Sequence, residues 1–459
     1  MNRIMIMVAA VMMVAGCGIY KKYERPEGMV TDGLYGERYQ TGDTASIADL
    51  GWRELFTDPL LQGLIDSALV RNTDLRTAAL RVEQAETALK IARLSYLPSF
   101  NFAPEGAVSG FNNFHTVSTG AGWTYTVPVV ASWELDIFGK KTNAKRQAQV
   151  SADMARDYEQ AVRTGLIAGV ATQYYTLLML DEQLRIASST VGKFEESVRV
   201  MKAMVSAGMG NEVAVAQLEG AMFEVKAAVE DIRKAIDELE NSLSTTLCQT
   251  PHSIERGSLS KASFPVELKT GVPVALLSRR PDVRAAENSL AAAYYAVNVA
   301  RADLYPALSL SGVAGWTNNL GGTVMNPAGL LLNAAGSLFQ PIFNAGAMRG
   351  KVKIARADQQ AAELAFQQAV LNAGAEVNNA LTQYQTALAK EEWRAAQVES
   401  LSKAVSKTEK LMQYTSTTYL EVLTAQQSLL QAETAQAQDT YEKISAVISL
   451  YRALGGGAR

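Results

Sequence analysis

At 459 residues the chain exceeds the usual size of one hydrophobic core, which predicts two or three domains. Its 43 Lys and Arg against 46 Asp and Glu give a formal charge of −3, which excludes the basic footprint of a nucleic-acid binder. A hydrophobic share of 48% excludes disorder, while two cysteines and two histidines supply neither a disulfide framework nor metal-ligand spacing.

The chain opens as a secretory signal. Met1–Arg3 is a short positive start, Ile4–Val14 is an apolar run too short to span a bilayer, and Val14-Ala15-Gly16-Cys17 follows. The last four residues resemble the lipobox of bacterial lipoproteins. That resemblance implies cleavage after residue 16 and acylation of Cys17, and Gly18 in place of Asp implies sorting to the outer membrane. Loss of Arg3 with the signal takes the charge from −3 to −4. No later run of 18 apolar residues predicts a transmembrane helix. Residues 17–71 are read as an extended N-terminal and equatorial segment.

A repeat organises the rest. Asp74–Pro98 and Asp282–Pro306 align without a gap at an offset of 208 (282 − 74), with eight identities that include Arg76/Arg284, Arg93/Arg301 and Pro98/Pro306. Asp136-Ile137-Phe138-Gly139 answers Pro341-Ile342-Phe343-Asn344, and Glu212–Gln217 answers Glu421–Gln426. The period is far longer than a solenoid unit and reads as a duplicated domain. The first repeat covers 72–248, a linker 249–280, the second repeat 281–454, and a tail 455–459.

Within the first repeat, Asn72 can cap a helix that stops at Pro98. Strands follow at 100–111 and 122–135, with period-2 alternation clearest in Trp123-Thr124-Tyr125-Thr126-Val127. A long helix spans 141–205, about 98 Å at 1.5 Å per residue. Lys140, Lys141, Lys145 and Arg146 at its start read as a solvated or lipid-headgroup face. A glycine-rich turn, 206–211, precedes a return helix at 212–247; Gly208-x-Gly210 lacks the preceding strand of a phosphate loop. Cys248 at its end reads as a small packed hydrophobe. The second repeat begins at Pro281 and Asp282, which suit a first helical turn, and Arg279, Arg280 and Asp282 read as surface charges and a helix start. Strands at 308–316 and 330–340, a long helix at 347–414 and a return helix at 420–454 complete it. Strands of 9–14 residues suit tilted membrane crossings, yet four strands cannot close a barrel, so a membrane barrel demands several copies.

Three runs carry a family resemblance. Trp52-Arg53-Glu54-Leu55-Phe56-Thr57-Asp58-Pro59-Leu60, Leu277-Ser278-Arg279-Arg280-Pro281-Asp282-Val283-Arg284-Ala285-Ala286-Glu287 and Tyr419-Leu420-Glu421-Val422-Leu423-Thr424-Ala425-Gln426 occur in order on the duplicated chain. This order resembles the TolC-like outer-membrane efflux proteins, especially the lipoprotein channels paired with resistance-nodulation-division pumps. The resemblance implies a mainly α fold with transmembrane β: duplicated α-β-β-α-α halves that form, as a homotrimer, a 12-stranded β-barrel on a long α-helical barrel. It also implies a periplasmic adaptor and an inner-membrane pump as partners, outer-membrane lipid around the barrel, and no cofactor. The periplasmic gate falls on Leu420, Glu421 and Thr424. Glu421 keeps a carboxylate where relatives often have Asp, and Thr424 departs from that pattern. Glu421 also suits a helix N-terminus through the macrodipole. The adaptor-docking tip falls on Gly208, Gly210 and Glu212.

The expected function is a passive exit duct for drugs, metals or other small toxic compounds. Type I protein secretion and a pore-free, lipid-anchored coiled-coil scaffold are the competing readings. No nucleophile–base pair, phosphate loop or metal cluster supports an enzyme.

Overall fold

The computed structural model describes residues 20–26, 50–109, 122–262, 264, 279–317, 329–413 and 419–456. The signal 1–16, Cys17, the strand connections around Asn112-Asn113 and Asn318–Gly322, and the hydroxyl-rich turn 415–418 lie outside the described residues.

Residues 17–71 are not extended throughout. α1 (Trp52–Leu55) and α2 (Pro59–Arg71) form there. The Asp58 carboxylate accepts from Leu60 N at 2.9 Å, and Pro59 needs no donor at the first helical position. Leu61, Ile65 and Ala68, spaced along one face, are buried. Asn72 ends α2 and caps α3 (Thr73–Leu94), accepting from Asp74 N at 2.9 Å and Leu75 N at 3.1 Å.

The first predicted strand is two strands, β1 (Ser99–Phe102) and β2 (Glu105–Ser109). Both pair with β3 (Gly122–Leu135). Opposite the break, neither Pro104 nor Pro128 has an N–H to donate, so the ladder lapses there and only Ala103 N reaches Pro128 O, at 3.2 Å. β4 (Ala307–Thr317) and β5 (Gly329–Phe339) complete an antiparallel sheet in the order β1-β3-β4-β5, with β2 beside β3. Gly315 is a packing necessity: a Cβ there would run into Val127 O.

The register sorts the side chains. One face carries Phe102↔Val129↔Ala314↔Leu332 and Trp133↔Leu310, then Leu308↔Leu338 and Trp316↔Leu330. The opposite face carries Ser99↔Ser132↔Ser311, Glu134↔Ser309↔Ser337 and Thr126↔Thr317. A sheet apolar on one face and hydroxyl-rich on the other is the alternation of a barrel wall between lipid and water.

The helices follow. α4 (Lys140–Ser206) and α7 (Ala347–Gln413) each have 67 residues, about 100 Å of rise. α5 (Glu212–Thr246) and α8 (Tyr419–Ala453) each have 35. α6 (Pro281–Ala302) opens the second half. The Asp136 carboxylate starts α4, accepting from Lys141 N and Thr142 N at 2.8 Å each. Three of the four basic residues read as a solvated or lipid-headgroup face have partners within the chain. Lys140 pairs with Asp303 at 2.8 Å, Lys141 Nζ donates to Ser95 O at 2.7 Å and Glu134 O at 2.9 Å, and Lys145 lies over the Tyr96 ring.

Cys248 is exposed, not packed. It sits at φ 53° just past α5, and Gln249 N closes a bond to Ser244 O at 2.9 Å. Gly455, at φ 74°, holds the same position past α8, where Gly456 N reaches Tyr451 O at 2.9 Å. Both halves thus end on one left-handed cap, a glycine in one copy and a cysteine in the other.

Two compact units emerge, and they cut across the repeats. One gathers Arg81–Arg156 and Ala285–Phe366 with the start of the chain. The other gathers Asp157–Arg284 and Gln367–Arg459 with Met29–Leu80. The sheet lies in the first; both helical tips lie in the second. No helix among the described residues is long and apolar enough to cross a membrane.

Candidate functional site: the tip hairpins

Each tip residue stands where the local chain requires. α4 ends in a left-handed turn at Gly208, φ 76°, with Met209 N bonded to Met204 O at 2.9 Å. Gly210 folds so tightly under this turn that an added Cβ would lie 2.8 Å from Val205 N. Asn211 restarts the chain as α5, its side chain accepting from Val213 N at 2.7 Å. Glu212 occupies the first turn, where a carboxylate complements the helix dipole. Gly208, Gly210 and Glu212 are all exposed, flanked by exposed Met209 and Val213.

The second tip enters at α8. Leu420, Glu421 and Thr424 are exposed, whereas Val422, Leu423, Gln426 and Leu429 are buried. At 100° per residue the three exposed positions fall within one 100° arc, so they share a face directed away from the core.

The two tips are one assembly. Phe194, Val198 and Met201 of α4, Leu218, Met222 and Val225 of α5, and Val422 and Leu423 of α8 belong to a single hydrophobic cluster, with Tyr419 packed against it. Polar links cross it. Tyr419 Oη donates to Gln217 Oε1 at 2.6 Å. Gln426 is 2% exposed, and its Nε2 donates to Ser197 Oγ at 3.1 Å and Glu409 Oε1 at 3.0 Å. One buried amide therefore joins α8 to both long helices. Lys202–Glu219 at 2.6 Å and Lys226–Glu195 at 2.7 Å close the α4–α5 hairpin.

Sequence reasoning missed this network. The available signal was the repeat itself: Gln217 and Gln426 are aligned positions, and Gln426 interrupts an otherwise apolar helical stripe. Far along the chain from the tip, Arg280 proved to be buried instead of a surface charge. Its side chain is 5% exposed and donates to Asp282 at 2.6 and 2.9 Å, to Glu376 at 2.8 Å and to Ala453 O at 2.8 Å. Burial alone would lower the guanidinium and raise the Asp282 carboxyl; their mutual hydrogen bonds reverse both, leaving Asp282 below its ordinary value. Cys17 lies outside the described residues. Among those residues no group of acids, histidines or cysteines could hold a metal.

Comparison with known proteins agrees with this architecture. The model of the family "Outer membrane efflux protein" matches twice, over residues 64–249 and 272–456. The cation efflux system protein CusC of Escherichia coli K12 is 28% identical over 450 residues, covering 97% of each chain. The pyoverdine export outer membrane protein OpmQ of Pseudomonas aeruginosa is 30% identical over 433 residues, covering 92% of this chain and 90% of that one. The open-state MtrE channel of Neisseria gonorrhoeae superposes with a TM-score of 0.84 at 28% identity, covering 96% of this chain and 99% of that structure. The chain belongs to the outer membrane efflux protein family: it is the outer-membrane channel of an efflux system, a duct and not an enzyme.

Proposed function

We propose that three copies of this chain form the exit duct of a tripartite pump, passing drugs, metal ions or other small toxic compounds across periplasm and outer membrane. The observation that carries this is the sheet. It has an apolar face, a hydroxyl-rich face and two outer edges, β5 on one side and β1 with β2 on the other, that pair with no other strand among the described residues. Unpaired edges in a bilayer are costly, because lipid offers the backbone no hydrogen bonds. Strand directions alternate across the sheet, so β5 of one copy can add β1 of the next in antiparallel fashion. Three copies of this wall give 12 strands, counting β1 and β2 as one broken strand, and leave no edge.

Acylated Cys17 anchors each copy to the inner leaflet. Gly208, Gly210 and Glu212, with their exposed apolar neighbours, receive the periplasmic adaptor, which connects to an inner-membrane resistance-nodulation-division pump. Leu420, Glu421 and Thr424 line the closing tip, where three Glu421 carboxylates favour cations. Relatives named for cation efflux and for pyoverdine export share the architecture, so the pump and not the duct selects the cargo. The test of the gate is single-channel conductance of Glu421→Gln across cation concentration. Reduced cation selectivity is the expected result; unchanged selectivity returns Glu421 to a structural place in the first turn of α8. Mass and lipid labelling of Cys17→Ala test the anchor: lost acylation is expected, and an unchanged mature mass and lipid content would refute it.

A further inference from the structure

The duplicated halves place the same dipeptide at the same point, where a strand hands over to a long helix, and treat it differently. In the first half, Ile137-Phe138 is half-buried, and the Phe138 ring stacks on Tyr305 with centroids 4.9 Å apart and planes 11° apart. Tyr305 is the last residue before Pro306, at the root of β4. The seat exists because β3 pairs with β4, which brings the end of one strand to the start of the next, Leu135↔Leu308. In the second half, Ile342 is 99% exposed and Phe343 88% exposed. Two large apolar side chains bare on a loop are not core residues of this chain.

Repeat symmetry identifies what they fit. β5 follows β4 as β3 follows β1, so the strand next to β5 is a β1. The position of Tyr305, carried to the first half through the Pro98/Pro306 alignment, is Leu97. Leu97 is exposed, as are Leu94 before it and Phe100 and Phe102 beyond it. Among the described residues this apolar strip has no covering element, and it lies at the root of the other free edge. Building on the trimer reading, we propose that Ile342 and Phe343 seat on Leu97 of the partner subunit, repeating between chains the contact that Phe138 makes with Tyr305 within one.

The same symmetry predicts the seam. Leu135↔Leu308 translates to Gln340 opposite Phe100 of the partner subunit, and hence Leu338 opposite Phe102 of the partner subunit. The faces agree: Leu338 and Phe102 both lie on the apolar side of the sheet. A register one residue off would put an apolar row against a polar one. One feature does not repeat. The Lys140–Asp303 ion pair beside the intrachain seat maps at Asp303 to Ser95, so the seat between chains is held by apolar contact alone.

The experiment uses the full chain in outer-membrane lipid, in a Cys248→Gly background to remove the exposed thiol. Phe343→Cys combined with Leu97→Cys is treated with a short bis-thiosulfonate, and Leu338→Cys combined with Phe102→Cys with a mild oxidant. Linked dimers and trimers on a denaturing gel, absent from every single variant, are the expected result. In parallel, Phe343→Ala should lower the temperature at which trimers dissociate in detergent while helix content by circular dichroism holds. Native trimers that give no 343–97 link overturn the proposal and leave the duct intact. So does quenching of bimane on Phe343→Cys by brominated acyl chains, which would place the loop in lipid. A chain that native mass shows to be monomeric overturns both.

Discussion

Arg280 shows how much rests on one side chain. Its buried guanidinium ties the start of α6 to α7 through Glu376 and to the end of α8 through Ala453 O. Arg280→Ala would leave Ala453 O without its donor, while the Asp282 and Glu376 carboxylates, 51% and 44% exposed, can turn to water, so a loss of about 1–3 kcal/mol is expected. Chemical denaturation should register a loss of that size. The Asp282 carboxyl, held below its ordinary value by Arg280 against the opposing effect of burial, adds a pH dependence. A depressed acid stabilises the fold fully above its unfolded value and stops doing so as pH falls through its folded value. Asp282→Asn should therefore melt lower than the parent at neutral pH. The gap should close as pH drops below the ordinary carboxylate range, and thermal melts across pH 2–7 would detect it. A gap that does not change with pH would mean the carboxylate is not the source.

At the level of elements, much was legible. Long uninterrupted helices announce themselves through composition and the absence of proline, and the duplication let each half check the other. The strands were visible where alternation was strict. What was not legible depended on partners distant in sequence. The break between β1 and β2 needs Pro104 and Pro128 on adjacent strands, and only the register brings them to the same stretch of the ladder, one residue apart. The capped helix α2 was passed over because its apolar face spans few turns. At the tip, the Gly208–Gly210 turn was readable from glycine alone, whereas the Gln426 link required knowing that α4, α7 and α8 converge. Two outcomes follow. Tyr419→Phe removes the bond to Gln217, worth about 1 kcal/mol, and should raise the fraction of time the channel spends open; an unchanged open fraction would show that the tip is held elsewhere. Gly315→Val drives a side chain into the β3 backbone and should abolish the heat-modifiable folded form on gels, while Gly350→Ala, with open space around it, should not.

At the scale of the whole molecule, one chain is an incomplete object. Among the described residues its sheet has two open edges and its Ile342-Phe343 pair is bare, and its compact units each draw on both repeats. Duplication supplies the missing information, since each half shows how it meets the other within the chain and thereby how it should meet the next chain. Membership of the outer membrane efflux family, with relatives matched from end to end, places the duct in an efflux system. The most direct measurement couples native mass with single-channel recording on the same lipid-reconstituted sample. The account predicts a complex of three chains carrying discrete cation-favouring conductance. A monomer without conductance, or a conducting complex of any other number of chains, would contradict it.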